Sequence, residues 1–229
     1  AGDPPVRRAL AARRAHLAPF WLRMRTGDEP GPARGEALVI DAEDTFTAML
    51  AHLLRACGFG ARVLRHDEPG LAESALAHRG PVVLGPGPGN PSDPADPRMR
   101  RLRALTARLL RDHRHGVLGV CLGHELIAAG TGLELVRRAE PFQGAQERID
   151  FFGRTETVGF YNSWTARCDE STAAGLALRG IEVSRDARSG EVHALRAAGF
   201  SSVQFHPESV LTLDGPGIVT GLLAGLRVG

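Results

Sequence analysis

The chain predicts an α/β fold, a mostly parallel central sheet flanked by helices with a small antiparallel extension in its C-terminal half. Three observations carry this. Short apolar runs alternate with amphipathic helical patterns as far as Leu133, the arrangement of βα units whose strands are covered on both faces. Glycine-rich turns follow two of those runs at their carboxyl ends, where open α/β sheets place their chemistry. Beyond Leu133 the pattern shifts to short extended pieces separated by turn residues.

Ala37–Asp41 reads as the first buried strand. Asp44 is placed to cap a helix running to about Cys57, with Phe46, Met49, Leu50, Leu53 and Leu54 on its inner face. Ala61–Leu64 is a second strand, followed by a short helix near Leu71–Ala77, and Val82–Leu84 is a third strand. Between Arg98 and Arg114, Met99, Leu102, Leu105 and Leu109 recur at helical spacing. This is an amphipathic helix with its arginines outward, a solvated face rather than a nucleic-acid patch. Gly116–Val120 is the next strand. Ile181–Arg185 and Val192–Arg196, joined by a turn over 186–190, make a hairpin, and Gly217–Leu226 is the last helix.

With 229 residues and 43% hydrophobic content, the chain can bury one good core. That core is expected over 37–229. Residues 1–36 differ: rich in Ala and Arg, they start without Met and end in Asp28-Glu29-Pro30-Gly31-Pro32, a linker composition. Val6 to Arg14 has helical character, and Leu17, Phe20, Trp21 and Leu22 form an apolar cluster with no place in the sheet. The expectation is a junction with a preceding domain, the cluster packing on that partner.

A net charge of +2 gives no electrostatic case for nucleic acid or a membrane surface. No segment reaches the roughly 18 apolar residues of a span, and no signal-peptide pattern is visible, so the cytoplasm is the expected location. Three cysteines without paired spacing argue against a disulfide framework. Cys57 is expected in the core and Cys168 in a loop. With no Cys-x-x-Cys or His-Glu-x-x-His, no metal site is expected.

Three segments carry chemistry. Gly119-Val120-Cys121-Leu122-Gly123 closes a buried strand and opens an Ala-rich helix, the layout of a nucleophile elbow. Its glycines permit a sharp turn, and a thiol at a helix N-terminus is favoured as thiolate. Alone, Cys121 would more readily read as a buried core cysteine, and the other two segments reverse that reading. In Val203-Gln204-Phe205-His206-Pro207-Glu208-Ser209 a short strand delivers His206, a candidate base, with Glu208 two residues on to steady its imidazolium. Pro81 to Pro91 runs a buried strand into alternating Gly and Pro, a loop whose backbone N–H groups can approach a ligand as an oxyanion site requires. No Gly-Lys-Ser/Thr follows, and the glycine spacing fits neither a phosphate loop nor a dinucleotide fingerprint.

Together, Pro86–Pro91, Gly119–Glu125 and Phe205–Ser209 resemble the class I, triad-type glutamine amidotransferases, which release ammonia from glutamine. The resemblance covers roughly residues 37 to 229. It implies Cys121, His206 and Glu208 as the triad, with Gly87 and Leu122 N–H groups as oxyanion donors. It also implies Gly89, Glu125, Asn162 and Ser163 as contacts for the substrate glutamine. Glu125 stands where the family has glutamine, and a carboxylate cannot donate a hydrogen bond unless protonated.

Val39–Thr47, Gln143–Asp150 and Val158–Ser163 look like the amidotransferase part of phenazine-type synthases, fusions similar to anthranilate synthase with a chorismate-binding domain first. That likeness implies ammonia transfer to chorismate, giving 2-amino-2-deoxyisochorismate or anthranilate. It implies no cofactor in this domain, magnesium in the chorismate-binding partner, and a homodimer of the fused enzyme. The residues leave other readings open: a stand-alone γ-glutamyl hydrolase or peptidase, a non-catalytic regulatory partner, or a cysteine esterase on the same elbow.

Overall fold

The computed structural model describes residues 4–6, 12, 14–23 and 34–226. A short helix α1 (Pro19–Arg23) precedes β1 (Glu36–Asp41), and the chain then alternates through α2 (Phe46–Ala56), β2 (Gly60–Arg65), α3 (Leu71–Ala77), β3 (Val82–Leu84), α4 (Pro97–Asp112), β4 (Val117–Val120) and α5 (Leu122–Thr131). The second half is mainly extended. It contains β5 (Glu134–Arg137), β6 (Ala145–Phe151), β7 (Arg154–Phe160), β8 (Trp164–Arg167), α6 (Glu170–Leu178), β9 (Glu182–Arg185), β10 (Val192–Arg196), β11 (Phe200–Val203) and α7 (Gly215–Ala224).

Seven strands form one sheet in the order β2-β1-β3-β4-β11-β10-β9. The five from β2 to β11 run parallel, and β10 and β9 add an antiparallel edge. The pairs β5–β8 and β6–β7 stand apart as antiparallel ribbons. This is the predicted architecture, including the β9–β10 hairpin.

Strand alternation splits the core into two layers. Leu38, Ile40, Val82, Leu84 and Val117 face one way and pack with Leu71 of α3, Met99, Leu102, Leu105 and Leu109 of α4, and Leu126 and Ile127 of α5. Ala37, Val39, Val83, Leu118, Val120 and Val203 face the other way, against Leu50, Leu53 and Leu54 of α2 and Ile218, Val219 and Leu222 of α7. Because both faces are covered at the centre, β1, β3 and β4 read as near-continuous apolar runs, whereas the edge strand β2 is mostly exposed.

Several expectations shift on contact with the structure. Helix α7 begins at Gly215, earlier than predicted, because the Asp214 carboxylate accepts the Gly217 N–H at 3.0 Å and caps it there. Helix α2 begins at Phe46, whose N–H donates to Asp44 Oδ1 at 2.8 Å. Phe46 and Met49, placed on its inner face, are only partly buried. Cys168 lies in the loop after β8, as expected, and is buried there against the core. Not all the arginines of α4 point outward: the Arg98 side chain is 15% exposed.

The N-terminal cluster finds partners within this chain. Phe20 packs on the core and stacks edge-on to Trp21 at 4.9 Å, and the Trp21 ring lies 5.5 Å from that of His52 on α2. The Ala18 N–H donates to Val210 O at 2.7 Å. Much of the helix expected over 6–14, and all of the linker at 28–32, lie outside the described residues. Among the described residues no helix is long and apolar enough to cross a membrane.

Candidate active site

All the predicted chemical segments meet at the carboxyl ends of β1, β3, β4 and β11. At the end of β4 the chain turns directly into α5 through Cys121, which adopts φ 51° and ψ −105°. A non-glycine residue there is strained and must be held by its surroundings. The Cys121 N–H donates to Val203 O at 2.9 Å, and the Cys121 carbonyl accepts from the Glu125 N–H at 3.0 Å. The flanking glycines are obligatory for space: a Cβ on Gly123 would lie 2.1 Å from the Leu84 carbonyl oxygen, and one on Gly119 would lie 2.6 Å from that of Gly123.

Strand β11 lies beside β4, and the chain just past it carries His206. Its Nδ1 lies 2.8 Å from Glu208 Oε1, both side chains being essentially inaccessible. The backbone at His206 is pinned: its N–H donates to Gly159 O at 2.9 Å, and its carbonyl accepts from Thr212 Oγ1 at 2.6 Å. The ring packs between Phe46 and Tyr161, with centroid distances of 4.7 and 5.1 Å. Tyr161 is fixed in turn by a 3.0 Å hydrogen bond between its hydroxyl and Ser209 Oγ. That leaves Nε2 as the ring's free nitrogen, buried and without a hydrogen-bond partner.

Burial pushes the Cys121 thiol up, and the neighbouring His206 offsets only part of that rise. Burial likewise disfavours a charged His206, but Glu208 and Cys121 outweigh it and hold the imidazole well above its ordinary value. The helix N-terminus was expected to favour the thiolate on its own. In the folded site burial opposes it, and the group that favours the thiolate is His206, itself braced by Glu208.

Glu125 sits on the first turn of α5, buried, with Gln204 Nε2 donating to its Oε1 at 3.0 Å. Burial pushes its carboxyl up to about 8, against the pull of Gln204 and His206. At neutral pH it is therefore mostly protonated and able to donate, as the amide it replaces would.

The glycine loop follows β3. A Cβ on Gly87 would lie 2.7 Å from Ala42 Cβ, the Ala42 carbonyl oxygen and Leu122 Cδ2, so the loop is pressed against both the elbow and the turn after β1. Gly89 has φ +113°, which favours glycine. Asn162 and Ser163 follow β7, directly after Tyr161. Their carbonyls already accept from Phe142 and Arg138 N–H groups, at 3.0 and 2.9 Å, leaving the Asn162 Oδ1 buried without a partner. Among the described residues no group of three or more His, Cys, Asp or Glu side chains is placed to hold a metal ion.

The family model for class-I glutamine amidotransferases matches residues 38–224. The chain belongs to that family. Among similar proteins, the phenazine-specific anthranilate synthase of Pseudomonas fluorescens is 42% identical over 95% of this chain but only 34% of its own length. The amidotransferase chain thus spans about a third of that relative. Anthranilate synthase component 2 of Archaeoglobus fulgidus is 34% identical over 78% of this chain and 91% of its own. A solved structure described as a GMP synthase protein from Thermoplasma acidophilum shares the fold, with TM-score 0.67, 18% identity, and coverage of 87% of this chain and 95% of that one.

Sequence reading missed Phe46, Tyr161 and Gln204 as parts of this amidotransferase site. Gln204 was within reach, since period-2 alternation puts it on the same face as His206 and opposite Val203 and Phe205. Phe46 was assigned to the core by helical spacing. It lies on the first turn of α2, and that end of the helix looks onto the site.

Proposed function

We propose that this chain is the glutaminase half of a chorismate-aminating synthase. The observation that carries the reading is the buried His206–Glu208 pair beside a cysteine on a strained strand-to-helix elbow. In the proposed reaction Cys121 Sγ attacks the side-chain carboxamide carbon of glutamine while His206 Nε2 takes the thiol proton. The tetrahedral oxyanion is met by the N–H groups of Gly87 and Leu122, each such donor worth about 3 kcal/mol of barrier. His206 returns the proton to departing ammonia, leaving a glutamyl thioester. Water, deprotonated by the same imidazole, cleaves that thioester to glutamate and restores the thiol. Gly89, the protonated Glu125 and the Asn162–Ser163 backbone hold the substrate.

Ammonia then passes to a chorismate-binding domain, which makes 2-amino-2-deoxyisochorismate or anthranilate and supplies any magnesium the chemistry needs. The similarity to the phenazine-specific synthases, about three times as long, supports a fusion with residues 1–36 as the junction; a homodimer of the fused enzyme is part of the same proposal. A glycine-loop preference of only ~3 kcal/mol would change turnover about a hundredfold, so docking of the chorismate-loaded partner is assigned as the switch. Steady-state ammonia release tests this. Turnover should be slow for the chain alone and rise with a chorismate-binding synthase and chorismate present. Full-rate hydrolysis indifferent to both would instead make the chain a stand-alone γ-glutamyl hydrolase.

A further inference from the structure

We propose that Arg98 is a positioning residue for glutamine hydrolysis, its guanidinium clamping the glycine loop across the crevice between β1 and β3 and thereby fixing the Gly87 N–H. The proposal rests on the glutaminase reading and adds a residue outside every motif that suggested it.

The sheet order reverses at this crevice, because β1 lies between β2 and β3. The turn after β1 and the loop after β3 form its two lips. Arg98 reaches both from α4. Its Nη2 donates to the Pro88 carbonyl at 2.7 Å, and its Nη1 donates to the Ala42 carbonyl and to Glu43 Oε2, each at 3.3 Å. One planar fork thus ties two backbone carbonyls on opposite lips, which a lysine point charge cannot reproduce. The loop rests directly on this group, since a Cβ on Gly89 would lie 2.9 Å from Arg98 Nη2.

The freedom of the loop is narrow to begin with. Pro86 and Pro88 have φ locked near about −65°, so the direction of the Pro88 carbonyl depends on its ψ alone. With that carbonyl held, the chain on the carboxyl side of Gly87 is anchored, and any turn of the Pro86–Gly87 peptide has to be taken up by Pro86 ψ and Gly87 φ alone. On its other side Gly87 is already wedged against Ala42 and Leu122.

The lip that Arg98 grips is itself built for the purpose. Asp41 Oδ1 accepts the N–H groups of Glu43 and Asp44, at 3.0 and 3.3 Å, and Glu43 takes the left-handed φ of 72°. That turn presents the Glu43 carboxylate to Arg98, with Arg65 at 3.1 Å and His66 at 3.3 Å on its other side.

Arg98→Gln and Arg98→Lys test this, assayed with the chorismate-binding synthase present. Three quantities are read: ammonia release from glutamine, the thermal midpoint, and the rate at which iodoacetamide alkylates Cys121, followed by peptide mapping. Alkylation needs the thiolate but no oxyanion donor. For Arg98→Gln, kcat should fall roughly 10- to 100-fold, with KM and the alkylation rate within about twofold of wild type. Arg98→Lys should recover part of kcat.

A kcat equal to wild type in the variants overturns the clamp. So does alkylation that falls in step with kcat, because the damage would then lie in the nucleophile. If Arg98→Gln does not fold, Arg98→Lys decides by the same two criteria. Wild-type protein that releases no ammonia from glutamine sinks the glutaminase reading, and the clamp with it.

Discussion

Helices α4 and α5 cover the same layer of the sheet and teach opposite lessons. In α4 only Met99, Leu102, Leu105, Thr106 and Leu109 are buried, one stripe at helical spacing over a solvated basic face. In α5 everything is buried except Ala129 and Gly130, and the buried set includes His124 and Glu125. Burying polar groups without need is costly. His124 answers that cost by staying neutral, its pKa pushed down to about 3 by burial, with Nδ1 2.9 Å from Ser202 Oγ. Glu125 answers it by keeping its proton. Apart from Arg98 at its start, α4 packs and obeys its periodicity, whereas the helix that follows Cys121 breaks it.

The largest effect should come from the start of α5. Cys121→Ser should lower glutamine-dependent ammonia release by about 10⁴-fold or more, while synthesis from added ammonium salts, assayed with the partner, stays near wild type. A surviving glutamine reaction would return Cys121 to the status of a packing residue and erase the contrast between the helices.

Next in size is Gly123→Ala, whose new methyl would collide with the Leu84 carbonyl. The expected cost is about 3 kcal/mol, read as a lowered denaturation midpoint in urea. An unchanged midpoint would mean that the elbow has more room than its packing indicates.

Glu125→Gln sharpens the comparison through pH. Below about 8 the wild-type carboxyl is protonated and donates; as pH rises through that value it ionises, loses the donor and places a negative charge beside the thiolate. The other ionisable groups around it are His206, backed by Glu208, and Asp44 near Cys121, with His193 facing His124. In wild type the glutamine KM should therefore climb roughly tenfold for each pH unit above 8, and in Glu125→Gln it should stay flat across that range. Matching KM profiles would remove protonated Glu125 from substrate binding. The smallest effect belongs to the exposed face of α4: Arg101→Ala should leave stability within about 0.5 kcal/mol and glutamine turnover unchanged.

The same contrast explains what could be read from the amino acids. The alternation of apolar runs with helical stripes, the α4 stripe and the β9–β10 hairpin all express one-dimensional periods, so they were visible. So were the three site segments, because strained turns near catalytic groups demand glycine and proline at fixed offsets. What escaped depends on three-dimensional neighbours. Arg98 looks like any other arginine of its helix until the glycine loop folds onto it. Glu125 shows its charge state only once burial and Gln204 surround it. Phe20 and Trp21 seemed to need a foreign surface until Trp21 met His52.

One feature of the sheet constrains how any control of the reaction could work. Cys121 and His206 are delivered by adjacent central strands whose parallel ladder runs from Phe200–Val117 to Val203–Val120 and continues into the Cys121 N–H bond to Val203. A slip of a single residue in that pairing would turn His206 to the opposite side of the sheet. Cys121 and His206 therefore share the fate of the central hydrogen bonds of the sheet, and their spacing offers no dial to adjust while that ladder stays intact. Graded regulation is left to the loops at the crevice, which can move while the sheet stays intact.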